Sequence, residues 1–258
     1  MSTIPVSLVS TYVCDLKASR LWRTFDQLVG GYTVRFADSA RIILAKEGKA
    51  AARTYEATAS EQAALAAVTP DPWARYLSKV WLTTVPAGGE FQAQADAIEV
   101  PNRVFSEAAY AWLSGNGPIR ARDIAESGRY YIANQIRKGM AAGESTRQIA
   151  ARVAYYYYAQ RIPRSNRIAR TEVHSAANLG SITAARQTPR PKLKMWLATP
   201  DDRTRDHHAE AHGQEVPLNE PFIVMGEQLD YPGDTDLGAS PENIINCRCS
   251  MKYIALKP

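Results

Sequence analysis

The sequence predicts an α+β protein, mainly helical in its N-terminal and central regions, with a small antiparallel β-containing module at the C-terminal side. Three observations carry that expectation. Apolar residues recur at helical spacing through the first two thirds of the chain, punctuated by Gly/Pro clusters. After Pro191 the pattern changes to the alternation of strands, in KLKMWLA (192–198) and in IINCRCSMKYIAL (244–256). Between those two runs lie short apolar pieces and turn residues, too few to build a large core. The expected organisation is therefore residues 1–117 as one helical region and 118–190 as a second. Residues 191–258 form the small module, whose last strand contains Asn246-Cys247-Arg248-Cys249.

Taken in order, SRLWRTFDQLVGG places Leu21, Trp22, Phe25, Leu28 and Val29 on one stripe, with Gly30-Gly31 as its stop. TPDPWARYLSKVWLTTVP has Asp71 as N-cap and Pro72 in the first turn, and its stripe is Trp73, Tyr76, Leu77, Val80 and Trp81. That helix is expected to end before Pro86, with Pro86-Ala87-Gly88-Gly89 as a break. A helix with Phe105, Ala109 and Trp112 follows, and SGNGP (114–118) interrupts it. Another covers Ile119 to Lys138. In GESTRQIAARVAYYYY, Ser145 and Gln148 have capping-box spacing, and Ile149, Val153 and Tyr157 repeat every four residues. Pro163 is expected to end that element. A final helix, capped by Ser165 or Asn166, runs to Thr188-Pro189. Beyond it, Asp201 to His212 forms a short helix, PFIV (221–224) a short apolar run, and Gly226 to Pro241 a loop.

The chain has 258 residues with 45% hydrophobic and 22% charged side chains, which argues for a folded protein. No apolar run is long enough for a membrane helix, so no membrane partner is expected. The first residues, MSTIPVSLVSTYVCD, lack a basic, apolar, small-residue leader pattern, and secretion is not expected. Three cysteines are an odd count, which suits a reducing compartment. Charge is uneven. Residues 151–200 carry nine Lys/Arg against one acidic residue, and residues 201–242 carry two against eleven. The two blocks either neutralise each other on folding or leave a footprint for nucleic acid or an acidic partner.

Cys247 and Cys249, on a strand, would share one face with Arg248 on the other, too far apart for a good disulfide. Either they are buried as small apolar residues or they reach one metal. All four histidines lie in the last third, and His208 and His212 are four apart. With the two thiols they would make a Cys₂His₂ set suited to a structural zinc; otherwise no cofactor is expected. Two catalytic motifs fail. His208-Ala209-Glu210 matches half of a zinc-deaminase signature but lacks P-C-x-x-C, and HAEAH has its glutamate out of register for H-E-x-x-H. Arg203 and Arg205 are expected to bond to the acidic loop at 227–236, and Glu172, within an apolar stripe, to take Arg205 as partner. Arg164, Arg167 and Arg170 supply a basic helix face able to touch DNA or a partner, though most such faces are solvated.

The ordered set GESTRQIA, IARTEVHSAANLG, WLATPDDRTRDHH, PF, PGD and INCRC resembles the Mu F-like head morphogenesis family, minor capsid proteins of tailed bacteriophages. The resemblance covers residues 120–254, leaving the first helical region as phage-specific. Its recurrent positions fall on Arg170, Thr171, Glu172, Asp201, Arg205, His208, Gly213, Asn246, Cys247 and Cys249. His212 departs from it, since such proteins often carry Asp before that glycine. The resemblance implies a non-enzymatic virion component. It would be assembled in the host cytoplasm and sit in the capsid interior near the portal, with the portal protein, the inner capsid surface and packaged DNA as partners. Cys247, Cys249 and His208 would then clasp the terminal module, with Asp201, Arg205 and Glu172 in support. The competing class is a zinc-dependent enzyme or DNA-binding factor acting on nucleic acid.

Overall fold

The computed structural model describes residues 20–189 and 192–256. Cys14, the leader question and the side chains of Leu21 and Trp22 lie outside the described residues. Among the described residues six helices come first: α1 (Arg20–Thr58), α2 (Glu61–Ala66), α3 (Asp71–Asp96), α4 (Asn102–Gly115), α5 (Gly117–Ala141) and α6 (Thr146–Ala185). The remainder alternates short elements: β1 (Lys192–Leu197), α7 (Asp206–Glu210), β2 (Glu215–Pro217), β3 (Phe222–Val224), β4 (Glu227–Leu229), α8 (Pro241–Ile244) and β5 (Ser250–Ala255). The α+β expectation is borne out. No described helix is long and apolar enough to cross a membrane.

The chain forms two compact units whose boundaries fall inside helices. The first comprises residues 1–33, 82–109 and 170–258; the second comprises 34–81 and 110–169.

The second unit is wholly helical. The predicted stripe of Trp73, Tyr76, Leu77, Val80 and Trp81 is buried, and Trp81 stacks flat on Trp112 with centroids 3.4 Å apart. Trp73 Nε1 donates to Glu47 Oε1 at 2.6 Å, and burial pushes the Glu47 carboxyl up to about 7. Tyr157 Oη donates to the Gly128 carbonyl, and Arg164 to Ile124 O and Ser127 Oγ. The capping box forms as expected, with Gln148 Oε1 accepting from Ser145 N at 2.8 Å.

In both units the helical stop signals behave differently from expectation. α1 runs through Gly30-Gly31, α3 runs through Pro86, and α6 runs through Pro163 as one helix. An internal proline costs one ladder bond, and packing on both sides sustains the helix. The glycines have another use. A Cβ on Gly88 would stand 2.3 Å from the Ala177 carbonyl oxygen, and one on Gly180 would stand 1.9 Å from the Val85 oxygen. They let the backbones of α3 and α6 touch, which a larger residue forbids. Phe25 of α1 packs on Phe91 of α3, centroids 5.3 Å apart.

The terminal module belongs to the first unit. Its sheet has the order β2-β1-β5, antiparallel throughout, with Met195 opposite Lys252 and Glu215. β4, hidden in a Gly-rich segment read as loop, pairs with β3 in a hairpin. Met225 and Gly226, at φ 52° and 76°, make the two-residue turn that suits such a hairpin. Trp196, Phe222, Val224, Leu229, Ala198 and Ala211 surround Cys247 and Cys249 as one core. Buried Lys194 is anchored by Asp230, which also binds Arg186 at 2.8 Å. Cations of the basic block thus meet the acidic block inside one unit, as the neutralising alternative requires.

Candidate functional site

The Cys247-Arg248-Cys249 spacing acquires its geometry from a kink. Asn246-Cys247-Arg248-Cys249 is not part of the last strand; it is the link between α8 and β5. Asn246 adopts φ 62°, a left-handed conformation that asparagine tolerates better than most residues. That bend turns both sulfurs inward toward α7. Cys249 Sγ lies 3.4 Å and Cys247 Sγ 3.7 Å from His208 Nδ1, and all three residues are buried. The Cys249 amide also donates to Cys247 Sγ at 3.4 Å.

The orientation of His208 is fixed by a relay that sequence reasoning missed. Asn243 Nδ2 donates to Glu227 Oε2 at 2.6 Å and to the Val224 carbonyl at 3.2 Å. Both partners accept only, so the amide nitrogen must face them and its oxygen must face the imidazole. Asn243 Oδ1 lies 3.2 Å from His208 Nε2, which therefore carries the hydrogen. Nδ1 is left to face the two sulfurs. The thiols titrate as a pair. The hydrogen bond from Cys249 draws Cys247 well below the usual thiol range, while burial and the neighbouring sulfur push Cys249 well above it.

His212 is not in this cluster: among the described residues the group consists of His208, Cys247 and Cys249, with donor atoms within 4.8 Å of one another. His212 instead turns Nδ1 to the Ala198 amide at 3.3 Å, which fixes it at the edge of β1. The expected four-ligand set is thereby reduced to three. The arginines also differ from expectation. Arg205 donates to the Ile245 carbonyl, and Glu172 is buried. Arg203 folds back on Asp201 at 3.0 Å. Asp201 has a stronger partner in Arg248, whose guanidinium grips the carboxylate with both ends and holds it well below its usual range. Arg248 is thus committed to Asp201, and the backbone there is no strand.

The C-terminal half of α6 is the surface on which the loops are hung. Arg170 donates to Asn246 Oδ1 at 2.7 Å, and the Asn246 amide donates to Thr171 Oγ1 at 2.8 Å. Ser175 donates to the Gly233 carbonyl at 2.5 Å. Asn178 Nδ2 donates to both the Pro232 and Cys249 carbonyls at 3.0 Å. Buried His174 is held down to about 3 by desolvation, with Arg170 and Arg248 adding to it. Of the proposed basic face, Arg170 and Arg164 are thus hydrogen-bonded within their own units, and Arg167 is exposed.

These residues sit inside a segment of known kinship. Residues 131–252 match the family described as Phage Mu protein F like protein. The match agrees with the resemblance that its motifs carry. Among curated proteins the chain is 31% identical over 126 residues to "Minor head protein GP7" of Bacillus phage SPP1, covering 48% of this chain and 40% of that one. It is also 33% identical over 125 residues to "NAD(+)--arginine ADP-ribosyltransferase EFV" of Enterococcus faecalis, covering 46% of this chain and 24% of that protein. The chain spans well under half the length of the enzyme and two fifths of the head protein. No solved structure matches it.

Proposed function

We propose that this chain is a minor capsid protein of a tailed bacteriophage that acts in head morphogenesis without catalysing a reaction. One observation carries the reading: the family-matching residues are consumed in holding the module together. Arg170, Thr171, Asn246, Asp201, Arg205, His208, Cys247 and Cys249 all make intramolecular contacts in one unit. Residues with such partners define a scaffold, and function then lies in the surface it presents. The kinship to a minor head protein supplies the context. In this reading the chain docks on the portal or the inner capsid surface during assembly in the host cytoplasm and stays in the virion, beside packaged DNA.

Co-expression with the cognate portal protein tests this. A stable complex, and particle defects on deleting the gene, are expected; normal infectious heads from the deletion would refute it. The enterococcal relative motivates a second reading, transfer of ADP-ribose from NAD to arginine. Incubating the full chain with labelled NAD and an arginine-rich acceptor decides it, and transfer of label would replace the scaffold reading.

A further inference from the structure

We infer that Cys247 Sγ, Cys249 Sγ and His208 Nδ1 are three ligands of a tetrahedral zinc-class ion that fastens the terminal module. Zinc bonds of ~2.3 Å to sulfur and ~2.05 Å to nitrogen, opened to roughly the tetrahedral angle, place S and N about 3.5 Å apart. The two observed separations, 3.4 and 3.7 Å, bracket that value. Ordinary packing of two thiols beside an imidazole requires neither sulfur to approach the same nitrogen.

A metal-binding imidazole needs one nitrogen with a free lone pair and the other tied by a hydrogen bond. The Glu227–Asn243 relay ties Nε2 and leaves Nδ1 facing the sulfurs, so the ring is held in the tautomer a cation requires. The Cys249 amide aimed at Cys247 Sγ is a donor of the kind that stabilises a metal-bound thiolate. Soft sulfur with imidazole selects zinc over magnesium or calcium. On binding, any proton still held by the two sulfurs passes to solvent, two sulfur–metal bonds and one nitrogen–metal bond form, and a solvent oxygen completes the tetrahedron. No electron is transferred. The ion would join α7 to the link before β5, elements that contribute little core by themselves.

The inference is independent of docking to a portal. The test uses the full chain expressed with zinc and freed of loose metal by dialysis. Expected are one zinc per chain by elemental analysis and, after exchange with cobalt(II), visible tetrahedral bands with thiolate-to-cobalt charge transfer. Both are expected to vanish in Cys247→Ser and Cys249→Ser and to persist in Cys14→Ser. Asn243→Ala keeps all three donors and should weaken zinc binding about 10–100-fold without changing its stoichiometry. A wild-type chain that is folded by circular dichroism, holds no zinc and develops no cobalt–thiolate bands overturns the inference, whatever the variants do.

Discussion

Gly180→Ala should destabilise the protein, against the usual effect of that change in a helix. The new Cβ would stand 1.9 Å from the Val85 carbonyl oxygen, 2.7 Å from the Gly89 amide nitrogen and 2.9 Å from the Val85 carbonyl carbon. All three are backbone atoms, so no side chain can rotate away. A relaxed carbon–oxygen contact is ~3.3–3.6 Å, and α3 and α6 must therefore part by more than ~1 Å. Overpacking of that kind costs ~1–3 kcal/mol, at the upper end or beyond where backbone is struck. Alanine's better helix propensity returns about 1 kcal/mol. The net expectation is a loss of about 2 kcal/mol. Gly31→Ala is the matched control: it lies in α1 with nothing within 4 Å of its added carbon. It should gain ~0.5–1 kcal/mol. Urea unfolding followed by tryptophan fluorescence measures both, and a 2 kcal/mol loss shifts the midpoint by ~1 M at an unchanged slope. If Gly180→Ala proves as stable as the parent, the close approach of the two backbones is wrong.

Two further expectations rest on buried charge. Glu47, with its carboxyl pushed up to about 7 by burial, binds a proton more readily folded than unfolded. Its stabilising contribution is complete below the ordinary carboxylate range and disappears as pH rises through 7. Glu47→Gln should therefore leave stability unchanged at pH 4 and raise it by up to roughly 3 kcal/mol at pH 9, in paired thermal melts. Asp230→Ala should cost more than Lys194→Met. Removing Asp230 strands a lysine that is fully buried, whereas removing Lys194 leaves Asp230 paired with Arg186. A difference of ~2 kcal/mol or more is expected in denaturant midpoints, since an uncompensated buried charge costs ~3–5 kcal/mol.

Periodicity located the cores well. The five residues of the Trp73–Trp81 stripe are all buried because helical spacing is a local property that burial then uses. Punctuation failed where a partner decided the outcome. Nothing near Gly88 says that Ala177 will lie against it, so a spacer for close packing looked like a stop. The meeting of His208 with the two thiols was legible from their chemistry, but for the wrong backbone reason: the left-handed Asn246, not strand alternation, aims the sulfurs. Glu227 and Asn243 carried no signal. They matter because a hairpin and a one-turn helix bring a carboxylate, an amide and an imidazole into line, and no spacing rule encodes that. Met225-Gly226 was a usable hint for the hairpin, overshadowed by the Gly, Asp and Pro around it.

Both hydrogens of a single side-chain amide, that of Asn178, are committed to loops that lie apart in sequence, at Pro232 and at Cys249. Neither loop can lift from α6 without freeing a hydrogen that the other loop cannot use, so their opening is one event with one free energy. In native-state exchange with deuterated water, the amides around these two loops should lose protection together, as a single foldon distinct from the helices beneath.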